Sequence, residues 1–323
     1  MFQELGAGRL ASGEALQLGV VETPDAAWAP RLSSLLGHKG EGYRFHIDAA
    51  LRGPLDSLET LFYVGLVRDE PVTVSMLAGA HGAGVYGHVF TVPEWRRRGA
   101  STLQHAAVSA DARGRGYRAL TLGTNPEGHA RRIYERIGFR AVRPGSGEMM
   151  WRADGDEWAA GPAAVGPVRW DDWGWISVAG CQPADPGEER PRSVLFDVRE
   201  AGHVEGRFIA AMRAGRPLMV LRAGCAAVGW AALADAPAAA LGALAIDLHV
   251  RRGFRHEADL LLSAVPWPER PVVCAFGGPP GYRAQALGRF GFRKAADLPD
   301  WWDLGRGGPE AASLWVRWPG SGT

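Results

Sequence analysis

The chain has 323 residues, a formal net charge of +1 and 46% hydrophobic residues, values that are typical of globular proteins. This composition excludes a disordered tail or a collagen-like chain, and the near-zero charge argues against a surface built to bind nucleic acid. One domain usually takes about 100–200 residues, so the length predicts two domains.

The cysteines and the hydropathy pattern indicate a compartment. The three cysteines, Cys181, Cys225 and Cys274, are widely spaced and odd in number, which favours buried thiols in a reducing environment over disulfides or a zinc site. No segment has the pattern of a secretory signal or the run of about 18 apolar residues that a membrane helix needs. We therefore expect a cytoplasmic protein with no membrane partner and no metal site.

Hydrophobic patterning predicts mixed α/β structure in the first half. The predicted strands cover 14–22, 61–68, 72–80, 85–92, 119–122 and 148–152. The predicted helices cover 26–36, 47–52, 99–113 and 127–137, with a polar loop at 37–44.

The middle of the chain is rich in Gly, Pro and Ala and predicts a linker at 155–168, between a domain at 1–154 and a domain at 169–323. Three tryptophans follow it, Trp170, Trp173 and Trp175, and we expect them to pack between the halves. The second half repeats the order of the first: helices are predicted at 193–213, 255–264 and 282–290, and strands at 217–222, 226–234, 241–249, 271–276 and 314–318. The peptides RIGFR at 136–140 and RFGFR at 289–293 align the two halves, which favours an internal repeat.

The most informative segment is VFTVPEWRRRGASTL at 89–103, a strand that runs into a turn and a helix. Open N–H groups and the dipole at a helix N terminus favour phosphate. Small residues let a diphosphate approach the backbone, and arginines add positive charge. The small residues are Gly99, Ala100 and Ser101, and the arginines are Arg96, Arg97 and Arg98. An exposed arginine run that merely precedes a helix is the alternative, because glycine-containing turns are common.

A second segment, TLGTNPEGHARRIYERIGFR at 121–140, adds a specific pattern. Together the two segments resemble the acyl-CoA N-acyltransferases of the GNAT superfamily. The turn fits the pattern Arg/Gln-x-x-Gly-x-Gly/Ala through Arg96 and Gly99, with Ser101 as a departure in the last small position. The second motif is matched in order by Asn125, Ala130, Ile133, Tyr134, Glu135, Gly138 and Phe139.

The resemblance implies an α/β fold built on one mixed sheet, here in two tandem copies. It also implies acetyl-CoA or a longer acyl-CoA as co-substrate, lying between the splayed strands at 85–92 and 119–122. The pantetheine arm would pair with the backbone near Phe90, Thr91 and Val92, as an added strand would. Asn125 would help to hold the pantetheine or Tyr134, and Ala130 would lie beside it. The turn would hold the pyrophosphate through Arg97, Arg98, Gly99, Ala100, Ser101 and Thr102.

Tyr134 would then act as general acid for the leaving thiolate, since a phenol can supply that proton. His88, on the strand that enters the turn, is the candidate base, and a packed strand histidine is the alternative. His38 and Glu41 in the polar loop would face the acceptor, unless that loop is simply solvated. The acceptor would be an amine on a small molecule. Tandem members of the superfamily include enzymes that modify aminosugars of natural products.

The second half lacks the groups that this chemistry needs. Leu287 stands where Tyr134 stands in the first half, Gly278 replaces Asn125, and Phe254 and Arg255 replace the small turn residues. We therefore predict a degenerate copy with a structural or acceptor-binding role. A CoA-binding sensor without catalysis is the main alternative for the whole protein. A nucleic-acid-binding protein is the third, and the near-neutral charge disfavours it.

Overall fold

The computed structural model describes residues 1–142, 145–153, 159–181, 190–191, 202–235, 242–277, 281–303 and 309–320. It divides into two compact units. The first comprises Met1–Asp156 and Arg169–Cys181, and the second comprises Glu157–Val168 and Gln182–Thr323.

The first unit is one mixed sheet with helices on it. Its strands are β1 (Phe2–Arg9), β2 (Ala15–Glu22), β3 (Glu59–Val67), β4 (Glu70–Ala80), β5 (Ala83–Thr91), β6 (Ala119–Gly123), β7 (Arg140–Ala141) and β8 (Glu148–Arg152). Its α-helices are α1 (Ala29–Leu35), α2 (Glu41–Arg52), α3 (Ala100–Gly114), α4 (His129–Arg136) and α5 (Trp173–Cys181). Short 3-10 helices cover Pro93–Trp95 and Trp170–Asp172. The strand order is β1-β2-β3-β4-β5-β6-β8-β7, and all neighbours are antiparallel except β5 and β6.

The second unit has the same plan. Its strands are β9 (Ala163–Pro167), β10 (Arg190–Pro191), β11 (Leu218–Ala223), β12 (Ala226–Asp235), β13 (Leu244–Val250), β14 (Val272–Gly277), β15 (Arg293–Asp303) and β16 (Pro309–Arg317). Its helices are α6 (Gly202–Ala214), the 3-10 helix Arg252–Glu257, α7 (Ala258–Ser263) and α8 (Tyr282–Arg289). The predicted residues 193–201 of the helix before β11 lie outside the described part of the chain.

Strand for strand, the two sheets correspond. The order β9-β11-β12-β13-β14-β16-β15 matches β2-β3-β4-β5-β6-β8-β7, and in both the single parallel pair occupies the same place. The aligned Gly-Phe pairs also close their helices identically. The N–H of Phe139 donates to the carbonyl of Tyr134, and that of Phe292 to the carbonyl of Leu287, each at 3.1 Å. The prediction of a mixed α/β fold in two copies is therefore confirmed.

The predicted linker and domain boundaries need correction. Ala163–Pro167 is a strand that pairs with β11, and Arg169–Cys181 belongs to the first unit, although we placed it in the second domain. Residues 154–158 lie outside the described part of the chain. The composition misled because β9 is a half-exposed edge strand rich in Gly, Pro and Ala, and such strands read as loops.

Helix α5 docks on the sheet of the first unit. Trp173 and Trp175 are fully buried there, and Trp175 Nε1 donates to the carbonyl of His81 at 3.1 Å. Gly174 lies so close to β5 that an added Cβ would be 2.2 Å from the carbonyl oxygen of Ala83. The tryptophans after the predicted linker are thus part of the first unit.

Two further differences concern edge strands and the exposure of a cysteine. Strands β1 and β15 were not predicted, since both lie at sheet edges and lack steady alternation. Cys181 and Cys274 are buried as expected, whereas Cys225 is exposed in the turn between β11 and β12. Within the described residues, the helices are too short or too polar to cross a membrane.

Candidate functional site

The parallel strands β5 and β6 separate part-way along their length. They pair only from Ala83 to Val85 on one strand and from Ala119 to Thr121 on the other, although β5 continues to Thr91 and β6 to Gly123. Beyond Val85 the edge of β5 that faces β6 has no strand partner among the described residues. Such an edge can accept an extended ligand as an added strand.

A bulge in β5 lies at the point where the strands separate. Phe90 pairs with Val74 and Gly87 with Met76, so two residues of β5 oppose the single Ser75 of β4. One of the two is His88, whose φ of 51° lies in the left-handed region that residues other than glycine rarely adopt. His88 is 9% exposed and its ring lies 5.3 Å from that of Tyr43. The candidate base is therefore held in a strained backbone at the gap.

The turn after β5 presents open amide groups, as the sequence predicts. Gly99 caps α3 with a φ of 88°, and the first helical hydrogen bond is donated by Leu103. Ala100, Ser101 and Thr102 precede that bond, and no side chain caps the helix. The N terminus of α3 can thus offer several N–H groups to an anion.

The three arginines of the turn have different roles. Arg98 lies 3.4 Å from Glu14 and over the ring of Trp95, and Arg96 donates to the carbonyl of Thr91 at 2.9 Å. Arg97 is exposed and makes no hydrogen bond or ion pair within the described part of the chain. Of the two predicted phosphate ligands Arg97 and Arg98, Arg97 is the one that is free to move toward an anion.

Tyr134 faces the interior next to α3. It is 8% exposed, and burial raises the pKa of its phenol to about 12. Its ring is 5.3 Å from the ring of His105, a residue that the sequence did not single out. At neutral pH Tyr134 therefore keeps its proton, as a general acid must.

The acceptor candidates differ from a simple solvated loop. His38 packs against Phe90, with ring centroids 4.4 Å apart, so the loop reaches the end of β5. Glu41 lies in the first turn of α2 rather than in a loop, because the helix begins six residues earlier than the predicted 47. The structure therefore brings His38 to the end of β5, whereas Glu41 lies in the first turn of α2, three residues further along the chain.

Several predicted cofactor contacts are partly occupied within the chain, including the carbonyls of Phe90 and Thr91, which accept hydrogen bonds from Thr73 Oγ1 and Arg96 Nε. The N–H of Val92 donates to the carbonyl of Val72 at 3.0 Å, and its carbonyl accepts the N–H of Trp95 at 2.9 Å, so both backbone groups of Val92 have partners within the chain. Asn125 Oδ1 accepts the N–H of Glu127 at 3.0 Å and shapes the turn before α4. Ala130 packs on the core cluster that contains Tyr134, while Phe90 and Thr91 remain half-exposed at the end of β5.

In the second unit the corresponding gap is filled by the chain itself. Strands β13 and β14 pair only at Leu244 and Ala245. Beyond them, the N–H of Val250 donates to Tyr282 Oη at 2.9 Å and Arg283 Nε donates to the carbonyl of Leu248 at 2.8 Å.

The opposite side of that gap is also occupied, because β10 pairs with the end of β14. The backbone that remains open in the first unit is thus used internally in the second. Gly278, aligned with Asn125, lies outside the described residues.

Part of the first unit is similar to a known protein family. Residues 39–148 match the model of the acetyltransferase (GNAT) domain. No curated protein matches the chain. The matched residues lie within the first unit, and the second unit repeats its sheet topology.

Solved structures similar to the chain include YncA from Salmonella typhimurium, a putative acetyltransferase with acetyl-CoA, at 12% identity, covering 48% of this chain and 92% of that one, with a TM-score of 0.38. YhbS from Escherichia coli, a GNAT N-acetyltransferase in complex with CoA, is 16% identical; the match covers 43% of this chain and 83% of that one, with a TM-score of 0.34. An N-acetyltransferase from Staphylococcus aureus Mu50 is 13% identical; the match covers 48% of this chain and 97% of that one, with a TM-score of 0.37.

Proposed function

We propose that the protein is an acyl-CoA-dependent N-acyltransferase with one working site, in the first unit, that acts on an amine of a small molecule. The observation that carries this proposal is the pairing of an open strand edge on β5 with an uncapped N terminus of α3 directly after it. The edge suits the amide-containing pantetheine arm, and the helix terminus suits the pyrophosphate. The match of residues 39–148 to the GNAT domain supports the same proposal.

The proposed reaction is direct attack of the amine on the thioester carbonyl. A carbon–nitrogen bond forms, the carbon–sulfur bond breaks, and the leaving thiolate takes the proton of Tyr134. His88 accepts the proton that the attacking amine loses, because its imidazole lies at the bulge where the strands part. Acetyl-CoA or a longer acyl-CoA supplies the acyl group.

The acceptor would approach from the side of α2, where His38 contacts the end of β5 and Tyr43 contacts His88. Glu41 would attract the cationic form of the amine. An aminosugar is one acceptor class that is compatible with the tandem arrangement. The filled gap of the second unit supports a single binding site per chain.

Binding of acetyl-CoA by the full chain tests the location of the phosphate site. Gly99→Trp should abolish binding in calorimetry, since the side chain would block the N terminus of α3. The matched control is Gly116→Trp at the other end of α3, where the glycine also has a positive φ and no neighbour within 4 Å. Equal binding by both variants would refute the proposed phosphate site.

Tyr134→Phe tests the mechanism. It should leave acetyl-CoA affinity unchanged and lower turnover with an amine by about 10²- to 10⁴-fold, the usual contribution of a general acid. Tyr63→Phe is the control, because it removes a buried hydroxyl that bonds to Asp111 instead. Undiminished turnover in Tyr134→Phe would remove Tyr134 from the mechanism.

A CoA-binding sensor without catalysis is the second candidate, because it would use the same open edge of β5 and the same N terminus of α3 without the chemical step. Turnover of acetyl-CoA with a panel of amines and aminosugars separates the two functions. Tight binding without turnover would establish the sensor.

A further inference from the structure

A buried histidine that the proposed mechanism does not use lies between the phosphate-binding turn and Tyr134. His105 is 1% exposed and sits one turn after Ser101 on α3. Its ring centroid lies 5.3 Å from that of Tyr134 and 5.6 Å from that of Tyr86, and the two tyrosine rings are 6.3 Å apart. The three rings therefore form one packed triangle behind the proposed site of thioester cleavage.

The hydrogen bonds of His105 define its protonation. Its Nδ1 is bonded to the backbone carbonyl of Ser101 and lies 3.2 Å from the Ser101 hydroxyl. A carbonyl oxygen can only accept, so Nδ1 carries the hydrogen and Nε2 carries a bare lone pair. Burial lowers the pKa of His105 to about 4, so the ring is neutral at physiological pH.

The Nε2 atom has no hydrogen-bond partner within the described part of the chain. A buried acceptor without a partner destabilises a fold, and an aliphatic side chain would fill the same space without that cost. The polar ring therefore lowers stability at a position next to the proposed general acid. Proteins usually depart from good local packing in this way at functional sites.

We propose that His105 is a positioning residue for the acyl transfer. Its ring fixes the orientation of the Tyr134 phenol, and its bond to Ser101 couples that orientation to the phosphate-binding turn. The inference rests on the proposed function, since it takes Tyr134 as the general acid. It predicts that His105 affects turnover through Tyr134 and not through cofactor affinity.

The test combines His105→Phe, which keeps a ring of similar shape without either nitrogen, with Tyr134→Phe. In the parent, His105→Phe should lower kcat by about 10- to 100-fold, the size of effect that a misplaced catalytic group produces, and change the Kd of acetyl-CoA less than about twofold. In the Tyr134→Phe background it should have almost no effect, because the group that it positions is gone. An unchanged kcat, or an equal loss in both backgrounds, would overturn the proposal.

Val108→Ala is the matched control for damage to packing. Val108 is buried on the same helix as His105, in the core cluster that contains Tyr86 and Tyr134. Its variant should therefore lose stability without losing kcat. If it loses as much kcat as His105→Phe, the effect of His105 is structural.

A measurement independent of activity separates this inference from the proposed function. Nitrogen NMR of histidine-labelled protein should show His105, assigned by its loss in His105→Phe, as the neutral Nδ1–H tautomer, with an Nε2 signal that shifts in Tyr134→Phe. The Nε2–H tautomer, or no shift, would overturn the role of His105 even if the enzyme is active. If the parent protein acetylates no amine but shows both predicted signals, the proposed function is refuted. The contact between His105 and Tyr134 would then still be supported.

Discussion

Replacement of Gly174 by alanine tests the docking of α5 on the sheet of the first unit. A Cβ at this position would meet three backbone atoms of β5, the carbonyl oxygen of Ala83 at 2.2 Å, its carbonyl carbon at 2.5 Å and the nitrogen of Gly84 at 2.9 Å. Backbone atoms of a central strand cannot move aside as the end of a flexible side chain can. The helix must therefore shift away from the sheet.

The size of the effect follows from three contributions. Overpacking of a dense core costs about 1–3 kcal/mol. A shift of α5 also weakens the hydrogen bond from Trp175 to His81, which contributes about 1 kcal/mol. Alanine has the better helix propensity by about 1 kcal/mol, which offsets part of the loss. We expect a net loss of about 2 kcal/mol, or about 4–8 °C in Tm for a unit of this size.

Thermal unfolding followed by circular dichroism measures this change, with Gly114→Ala as the matched control. Gly114 is also a helical glycine of the first unit, but a Cβ there would have no neighbour within 4 Å. The control should be as stable as the parent or slightly more stable. If Gly174→Ala unfolds at the same temperature as Gly114→Ala, α5 does not pack against β5 as described.

Two further outcomes follow from burial. Burial lowers the pKa of His46 to about 3 and that of His105 to about 4. Because histidines in the unfolded chain titrate near 6.5, the free energy of unfolding should fall as the pH decreases from about 6.5 to 4. Each histidine should contribute up to about 1.4 kcal/mol per pH unit. Urea titrations at several pH values measure this dependence. His105→Gln should reduce the slope of unfolding free energy against pH, whereas His129→Gln, at an exposed position, should not. A free energy of unfolding that does not change with pH in the parent would contradict the buried, neutral state of these histidines. Native protein should react with one equivalent of a thiol reagent, at the exposed Cys225, and denatured protein with three; rapid reaction of more than one thiol in the native state would contradict the burial of Cys181 and Cys274.

The parts of the fold that the sequence predicted are those set by short-range rules. The turn at Gly99 needs a residue that tolerates positive φ, and the Gly-Phe pairs close α4 and α8 by the same local hydrogen bond. Such signals survive in a single sequence. They were enough to locate β5, α3 and α4, and through them the candidate site.

The features that were missed depend on distant contacts. Helix α5 is apolar all round, so its pattern shows that it is buried but not what covers it. His105 belongs to no motif, and its importance comes from two rings that lie 19 and 29 residues away in the chain. Val92 fitted the predicted ligand-binding edge until the structure showed its N–H bonded to β4.

The position of α5 gives a physical reason why the first unit extends past the predicted boundary at 154. In the repeat, α5 follows β9 as α1 follows β2, so it is by sequence the first helix of the second copy. It nevertheless covers the first unit, where Trp173 and Ile176 are fully buried. A chain cut at the predicted boundary of 154 would lose this cover and expose β5 and β6, the two strands that form the gap. The first unit therefore needs residues beyond 154, because the sheet that holds the candidate site is covered by a helix that comes, in sequence order, from the second copy.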